Sequence, residues 1–220
     1  MFKFDYKGYS FRCDIGTMTP KQYERLIDLL EDFKPRDICE MGSGESTKIF
    51  EEYKSRTGAS LYSIEHDKFY ARGNAVMFPL VEKINFKIGG IDFGDCSIYC
   101  GFEEWLGLQG KFDLVFSDGP NDTLPYNYNN LVYSRIQIVD FPILDKLSDK
   151  SIVMYHDCQL TEARNTLEKF ENELLKRGFA FSKEEIVEDN MEVIKYNENI
   201  LGFCPNLLIY KCNREKYYSL

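Results

Sequence analysis

Two carboxylates set around a glycine turn are the residues best placed to do chemistry. The run Glu40-Met41-Gly42-Ser43-Gly44-Glu45-Ser46-Thr47 closes a short apolar stretch that begins at Asp37. Glycines directly after a buried strand let the chain turn tightly and bring backbone N–H groups close to a ligand. Glu65 ends the next apolar stretch, roughly 20 residues beyond Gly44, where a carboxylate can accept hydrogen bonds from both hydroxyls of a ribose. A dinucleotide would want a third glycine where Thr47 stands, and Glu40 sets negative charge where a pyrophosphate would lie. A ligand carrying an ammonium group would be drawn to that carboxylate instead. A loop of this kind can also be only a tight connection, and the two acids together argue for a ligand.

Further along are two polar clusters, Ser117-Asp118-Gly119-Pro120 and His156-Asp157. His156 is one of only two histidines, and an ordinary imidazole pKa of about 6.5 suits a general base at neutral pH. A hydrogen-bonded histidine at a strand end would look the same. Asp118, His156 and Asp157 are also a possible divalent-cation set, although imidazole suits a softer metal than magnesium. No metal is the favoured reading. Asp118 can equally close a cofactor pocket, and Asp157 can cap the helix after it. Between the clusters, Asn121–Asn130 has little periodicity and carries Tyr126 and Tyr128, which could stack on a substrate or simply lie on the surface. Arg135 opens the following helix, where the dipole disfavours a cation; an anionic substrate group is one reason for it. His66 follows Glu65 and would be a neighbour of any ribose.

Strands and helices must alternate to place these groups. Thr19-Pro20-Lys21-Gln22 has the pattern of a capping box with proline at N1, and Tyr23, Leu26, Ile27 and Leu30 fall on one helical face that ends before Pro35. Strands are expected at 37–41, 61–65, 84–88, 112–117 and 151–155, then near 179–187 and 206–212. Helices are expected over about 46–55, 67–77 and 162–177, the last closed by Gly178. Such alternation implies a Rossmann-like, doubly wound α/β fold. Its seven-stranded sheet would be mostly parallel, with a C-terminal antiparallel hairpin. One domain over residues 1–220 suffices, with an N-terminal arm and helix over 1–35 and the core over 36–212.

Composition narrows the partners. Net charge is -9, and Lys and Arg are not clustered, so nucleic acid is not expected. The N-terminus carries no apolar run resembling a signal peptide, and no window is long enough to span a bilayer. Seven cysteines, an odd number in no metal-ligand pattern, read as reduced thiols of a cytoplasmic chain. Aromatic residues reach 15%, enough to fill a core and also to line a cleft.

The chain resembles the class I S-adenosylmethionine-dependent methyltransferases, in particular their small-molecule O-methyltransferase-like branch. Glu40-x-Gly42-x-Gly44, Ser63-Ile64-Glu65-His66-Asp67, Phe112–Gly119 and Ile152–Asp157 carry the resemblance, in order, over about residues 20–212. It implies S-adenosylmethionine as cofactor. Glu40, Gly42 and Gly44 would hold its amino-acid part and Glu65 its ribose, with Ser43, Ser46, Thr47 and the neighbouring His66 also in the cofactor site and Asp118 closing the pocket. His156, Asp118 and Asp157 would form the catalytic group, and Tyr126, Tyr128 and Arg135 would meet the substrate. The implied activity is methyl transfer to a small hydroxylated acceptor, such as a sugar or phenol. The metal-dependent members carry an Asp-Asn pair where His156-Asp157 stands here. The amino-methylating DNA motif is absent after the fourth strand. A non-catalytic cofactor-binding scaffold of the same fold and an NAD-dependent oxidoreductase are the alternatives.

Overall fold

The fold is described from a computed structural model, over residues 2–13, 17–88, 91–119, 142–156, 161–187 and 206–214. The chain opens with an antiparallel hairpin of β1 (Phe2–Tyr6) and β2 (Tyr9–Cys13). Its two turn residues, Lys7 and Gly8, both have positive φ, 48° and 83°. That conformation matches the right-handed twist of the flanking strands. Helix α1 (Pro20–Phe33) follows with the expected capping box. Gln22 N donates to Thr19 Oγ1 at 3.3 Å, and Thr19 N donates to Gln22 Oε1 at 3.0 Å. Lys34 ends the helix in the left-handed region, φ 54°, and Pro35 cannot continue it.

The core strands are β3 (Asp37–Met41), β4 (Ser60–Glu65), β5 (Val76–Met77), β8 (Phe112–Ser117), β9 (Leu147–His156), β10 (Phe179–Ile186) and β11 (Leu207–Arg214). They form one sheet in the order β10-β11-β9-β8-β3-β4-β5. All neighbours are parallel except β11, which runs antiparallel to both β9 and β10. This is the Rossmann-like, mostly parallel sheet with a C-terminal antiparallel hairpin that the alternation predicts. After β3 the chain builds outward through β4 and β5, then returns to lay β8 on the other side of β3. The carboxyl ends of β3 and β8 are therefore a topological switch point, the place where open α/β sheets bind ligands.

Alternation along the strands divides the core. Ile38, Leu114, Phe116, Ile152, Met154 and Ile209 pack with Leu26, Ile27 and Leu30 of α1. Ile49, Phe50 and Tyr53 of α2 (Glu45–Thr57), and Tyr9 and Phe11 of the hairpin, belong to the same cluster. Cys39, Met41, Ile64, Val115, Val153 and Tyr155 pack on the other side. There they meet Phe102 and Leu106 of α3 (Phe102–Leu108) and Leu167, Phe170 and Leu174 of α4 (Thr161–Lys176). Helices thus cover both faces, as a doubly wound sheet requires.

Two elements differ from the sequence reading. Residues 67–77 are turns leading into the two-residue strand β5 rather than a helix. Asp67 Oδ1 accepts from Phe69 N at 2.9 Å, and Gly73 has φ 53°. The Asp67 side chain caps a single turn, closed by Ala71 N donating to Asp67 O at 3.1 Å, and the left-handed glycine keeps that turn from propagating. Residues 84–88 are extended but lie outside the main sheet. They belong to β6 (Leu80–Ile88), paired antiparallel with β7 (Ile91–Tyr99) in a separate two-stranded sheet. The outer neighbour of β4 is β5, which ends seven residues before 84, so the sheet keeps seven strands.

Replacing Thr19 with Ala removes the cap of the helix whose Leu26, Ile27 and Leu30 are fully buried. We expect a loss of about 1 kcal/mol, within the usual cap range of roughly 0.5–2, in urea denaturation with an unchanged slope. An unchanged midpoint would show that α1 is held by packing alone.

Candidate functional site

The carboxyl ends of β3, β4, β8 and β9 bring Glu40, Glu65, Asp118 and His156 to one edge of the sheet. Glu40 is wholly buried. Parallel pairing sets it beside Ser63 of β4. Its carboxylate accepts hydrogen bonds from Ser46 Oγ (2.6 Å, to Oε1), and from Thr47 Oγ1 (2.8 Å) and Ser63 Oγ (2.6 Å), both to Oε2. A carboxylate has about four acceptor positions, so one on Oε1 stays open. Thr47 in turn accepts from Gly44 N at 2.8 Å, which ties the turn to the first turn of α2. Burial pushes the Glu40 carboxyl up to about 7 despite its three hydroxyl donors, and the nearby Asp118 charge adds to the rise.

Glu65 is also buried, and its partners are backbone. Ser43 N donates to Oε2 at 2.9 Å, while His66 N (2.7 Å) and Asp67 N (2.9 Å) donate to Oε1. His66 Nδ1 lies 2.8 Å from the same Oε1. Burial alone would raise this carboxyl, but the donors from His66 and Asp67 outweigh it and hold it below its ordinary value. One acceptor position on Oε2 remains open.

The two glycines of the turn have different tasks. Gly42 has φ 91°. A Cβ there would lie 2.7 Å from the Asp118 carbonyl carbon and from Gly119 N. A Cβ on Gly119 would lie 2.8 Å from the Gly42 Cα. These glycines let the loops after β3 and β8 touch backbone to backbone, an arrangement sealed by Asp118 N donating to Met41 O at 2.8 Å. Around Gly44, by contrast, a Cβ would meet nothing within 4 Å. Of the two, Gly44 is where a ligand can approach the chain.

At the end of β9 the His156 ring is fully buried, with Nδ1 2.8 Å from Asp118 Oδ1. An Nδ1–H donated to the carboxylate leaves the lone pair on Nε2. Most of the residues expected from the sequence therefore meet: Glu40, Gly42, Ser43, Gly44, Ser46, Thr47, Glu65, His66, Asp118 and His156. Asp157, Tyr126, Tyr128 and Arg135 lie outside the described residues. Among the described residues no group of three His, Cys, Asp or Glu side chains is placed to hold a metal ion. Ser63 and Gly119 were missed by sequence reading. Ser63 had a signal, since it precedes Glu65 by two positions and so shares its strand face, but its pairing with Glu40 depends on strand register.

No protein-family model matches this chain, and no curated protein matches it by sequence. Solved structures match by fold. The O-methyltransferase TomG of Streptomyces achromogenes, solved in complex with SAM, is 11% identical, with a TM-score of 0.51 over 90% of this chain and 82% of that one. An O-methyltransferase from Bacillus cereus, in complex with SAH, is 10% identical, with a TM-score of 0.50 over 90% and 84%. This chain has the fold of these enzymes.

The Glu40 environment fixes a pH dependence. A carboxyl raised from 4.5 to about 7 on folding leaves the native state holding a proton that the unfolded chain releases. Its favourable contribution is complete below pH 4.5, falls away as pH rises, and is gone above about 7. Glu40→Gln removes the ionisable group. We expect the stability of the Gln variant relative to the parent to rise by roughly 2–3 kcal/mol between pH 5 and pH 8. Denaturation at both pH values measures it; a gap that does not change with pH would show that Glu40 titrates normally.

Proposed function

We propose that this chain transfers a methyl group from S-adenosylmethionine to a hydroxyl of a small acceptor such as a sugar or phenol. The observation that carries the proposal is the pair of buried acids bonded to the glycine turn and the first turn of α2, each with one acceptor position left after its protein donors are counted. An ammonium and a ribose hydroxyl are suitable donors for those positions. A pyrophosphate at the glycine turn would meet the Glu40 carboxylate, which argues against a nicotinamide dinucleotide. Likeness of fold to structures solved with SAM and SAH supports the same reading.

Each group has a task in this proposal. S-adenosylmethionine, when bound, supplies an electrophilic methyl group. Glu40 holds the ammonium through Oε1, and Glu65 a ribose hydroxyl through Oε2. Gly44 gives the ligand close access to the α2 N-terminus. Ser46 and Thr47 keep the Glu40 carboxylate aimed, and so bear on the cofactor through it. Asp118 fixes the imidazole tautomer, and His156 Nε2 accepts the proton that the acceptor hydroxyl loses. The ion pair that forms, imidazolium beside carboxylate, stabilises the charge that this transfer creates on His156. Asp157, Tyr126, Tyr128 and Arg135 are the residues proposed to meet the acceptor. A divalent metal has no part in this proposal, in which His156 acts as the base with Asp118 at its Nδ1.

The cytoplasm is the proposed location. Cys13, Cys39, Cys100 and Cys212 are free thiols, the state that a reducing compartment maintains. Among the described residues, no helix is long and apolar enough to cross a membrane.

Titration calorimetry tests the cofactor. S-adenosylmethionine or its demethylated product should bind at one site per chain, with NAD giving no heat. Saturable NAD binding in the absence of adenosylmethionine binding would overturn the proposal.

The acid–base role needs a separate measurement. His156→Ala should lose ~10²–10⁴-fold in turnover while cofactor affinity changes by less than ~1 kcal/mol, the ordinary scale of one hydrogen bond. Wild-type turnover should rise with pH as His156 loses its proton. Parental turnover and an unaltered pH profile in the Ala variant would make His156 purely structural.

A further inference from the structure

The segment after Glu65 does more than connect two strands. Residues 67–72 fold back as a strap across the glycine turn, and the strap is internally braced. Tyr70 N and Ala71 N donate to Asp67 O at 3.0 and 3.1 Å, and Arg72 Nη1 donates to Phe69 O at 3.2 Å. Just beyond its far end, Gly73 has the Glu51 carboxylate of α2 where a Cβ would stand.

Ser43 is what fastens the strap to the turn. Its hydroxyl accepts from Arg72 N at 2.6 Å and donates to Tyr70 O at 3.2 Å. Its own N–H donates to Glu65 Oε2. Ser43 is buried, with both backbone and side-chain donors committed to protein partners. Its position inside the Gly-Ser-Gly turn suggests a direct ligand contact, but its bonds point to another task. Glu65 lies at the root of the strap, held by Ser43 N on one oxygen and by His66 N and Asp67 N on the other. Movement of the strap would carry His66 N and Asp67 N with it and re-aim the carboxylate.

We propose that Ser43 is a positioning residue: its hydroxyl latches the Asp67–Arg72 strap across the glycine turn and thereby aims the open acceptor position of Glu65 at a ribose hydroxyl. The proposal rests on the reading that an adenosine-bearing cofactor occupies this edge. Because Glu65 has one open position, a single ribose hydroxyl reaches it, and recognition of that hydroxyl depends on a residue that never touches it.

Two measurements on the full chain test the latch. Amide hydrogen exchange without any ligand should show residues 66–72 exchanging about 5-fold faster in Ser43→Ala than in the parent, the scale set by losing one net hydrogen bond, with protection restored in Ser43→Thr. Binding is then compared for S-adenosylhomocysteine and its 2′,3′-dideoxyribose analogue. The parent should prefer the ribose form, and Ser43→Ala should lose most of that preference while holding the dideoxy analogue as the parent does. Unchanged exchange in the Ala variant overturns the latch. Equal weakening toward both ligands also overturns it, since a merely structural serine would act on both alike. If the parent binds neither ligand, the cofactor reading fails, whereas the exchange result still decides whether the latch exists.

Discussion

Everything at the ligand edge depends on two backbones touching where Gly42 meets Gly119. The sheet changes direction at β3, so the loops after β3 and β8 leave from adjacent strand ends and compete for the same space. Only residues without a Cβ allow both loops to occupy it. The contact puts Asp118 beside the turn, with its N–H on Met41 O, and from there its carboxylate reaches the His156 ring. It also leaves Gly44 to face outward. A side chain at Gly42 would therefore disturb the acid at the start of the turn, the acid–imidazole pair and the mouth of the site together.

The second constraint is electrostatic. Three acids, Glu40, Glu65 and Asp118, stand at one edge of the sheet, and each is restrained differently. Glu65 is surrounded by fixed N–H dipoles, so its charge is favoured. Glu40 has hydroxyls only, which hydrogen-bond either protonation state, and its deep burial favours the neutral form. Asp118 has an imidazole. An edge assembled in this way is better matched to a cation than to nothing at all, which is how binding sites commonly differ from the rest of a fold.

Local signals were legible in the sequence wherever local physics decides. The Thr19 capping box, the closing glycines and the apolar periodicity of α1 and α4 each depend on neighbours within one or two turns. The buried strands were legible as apolar runs, and Glu40 and Glu65 from their places at strand ends. What was not legible depended on pairing or on competition. The region 67–77 has helical composition, yet the helix is not carried past one turn, and Gly73 with its positive φ diverts the chain. The strand at 84–88 is real, but whether it joins the main sheet or its own hairpin partner is a question of topology. The bonds of Ser43 to Arg72 N and Tyr70 O were not legible either, because nothing in the sequence reveals that these residues lie near it. Ser63 reaches Glu40 only through the β3–β4 register.

The two edges of the main sheet have a consequence for how the chain behaves at high concentration. An open edge strand is a template on which another chain can add a strand. At one border β5 is two residues long, too short a ladder to nucleate such growth. At the other, β10 carries Lys183-Glu184-Glu185 in its central and distal part. Lys183 is paired to Glu171, and Glu184 to Arg25 of α1. An incoming strand would have to strip water from these charges and crowd the bridge to α1. Among the described residues the sheet is thus bordered by different means, brevity on one side and charge on the other, each of which opposes growth through that edge.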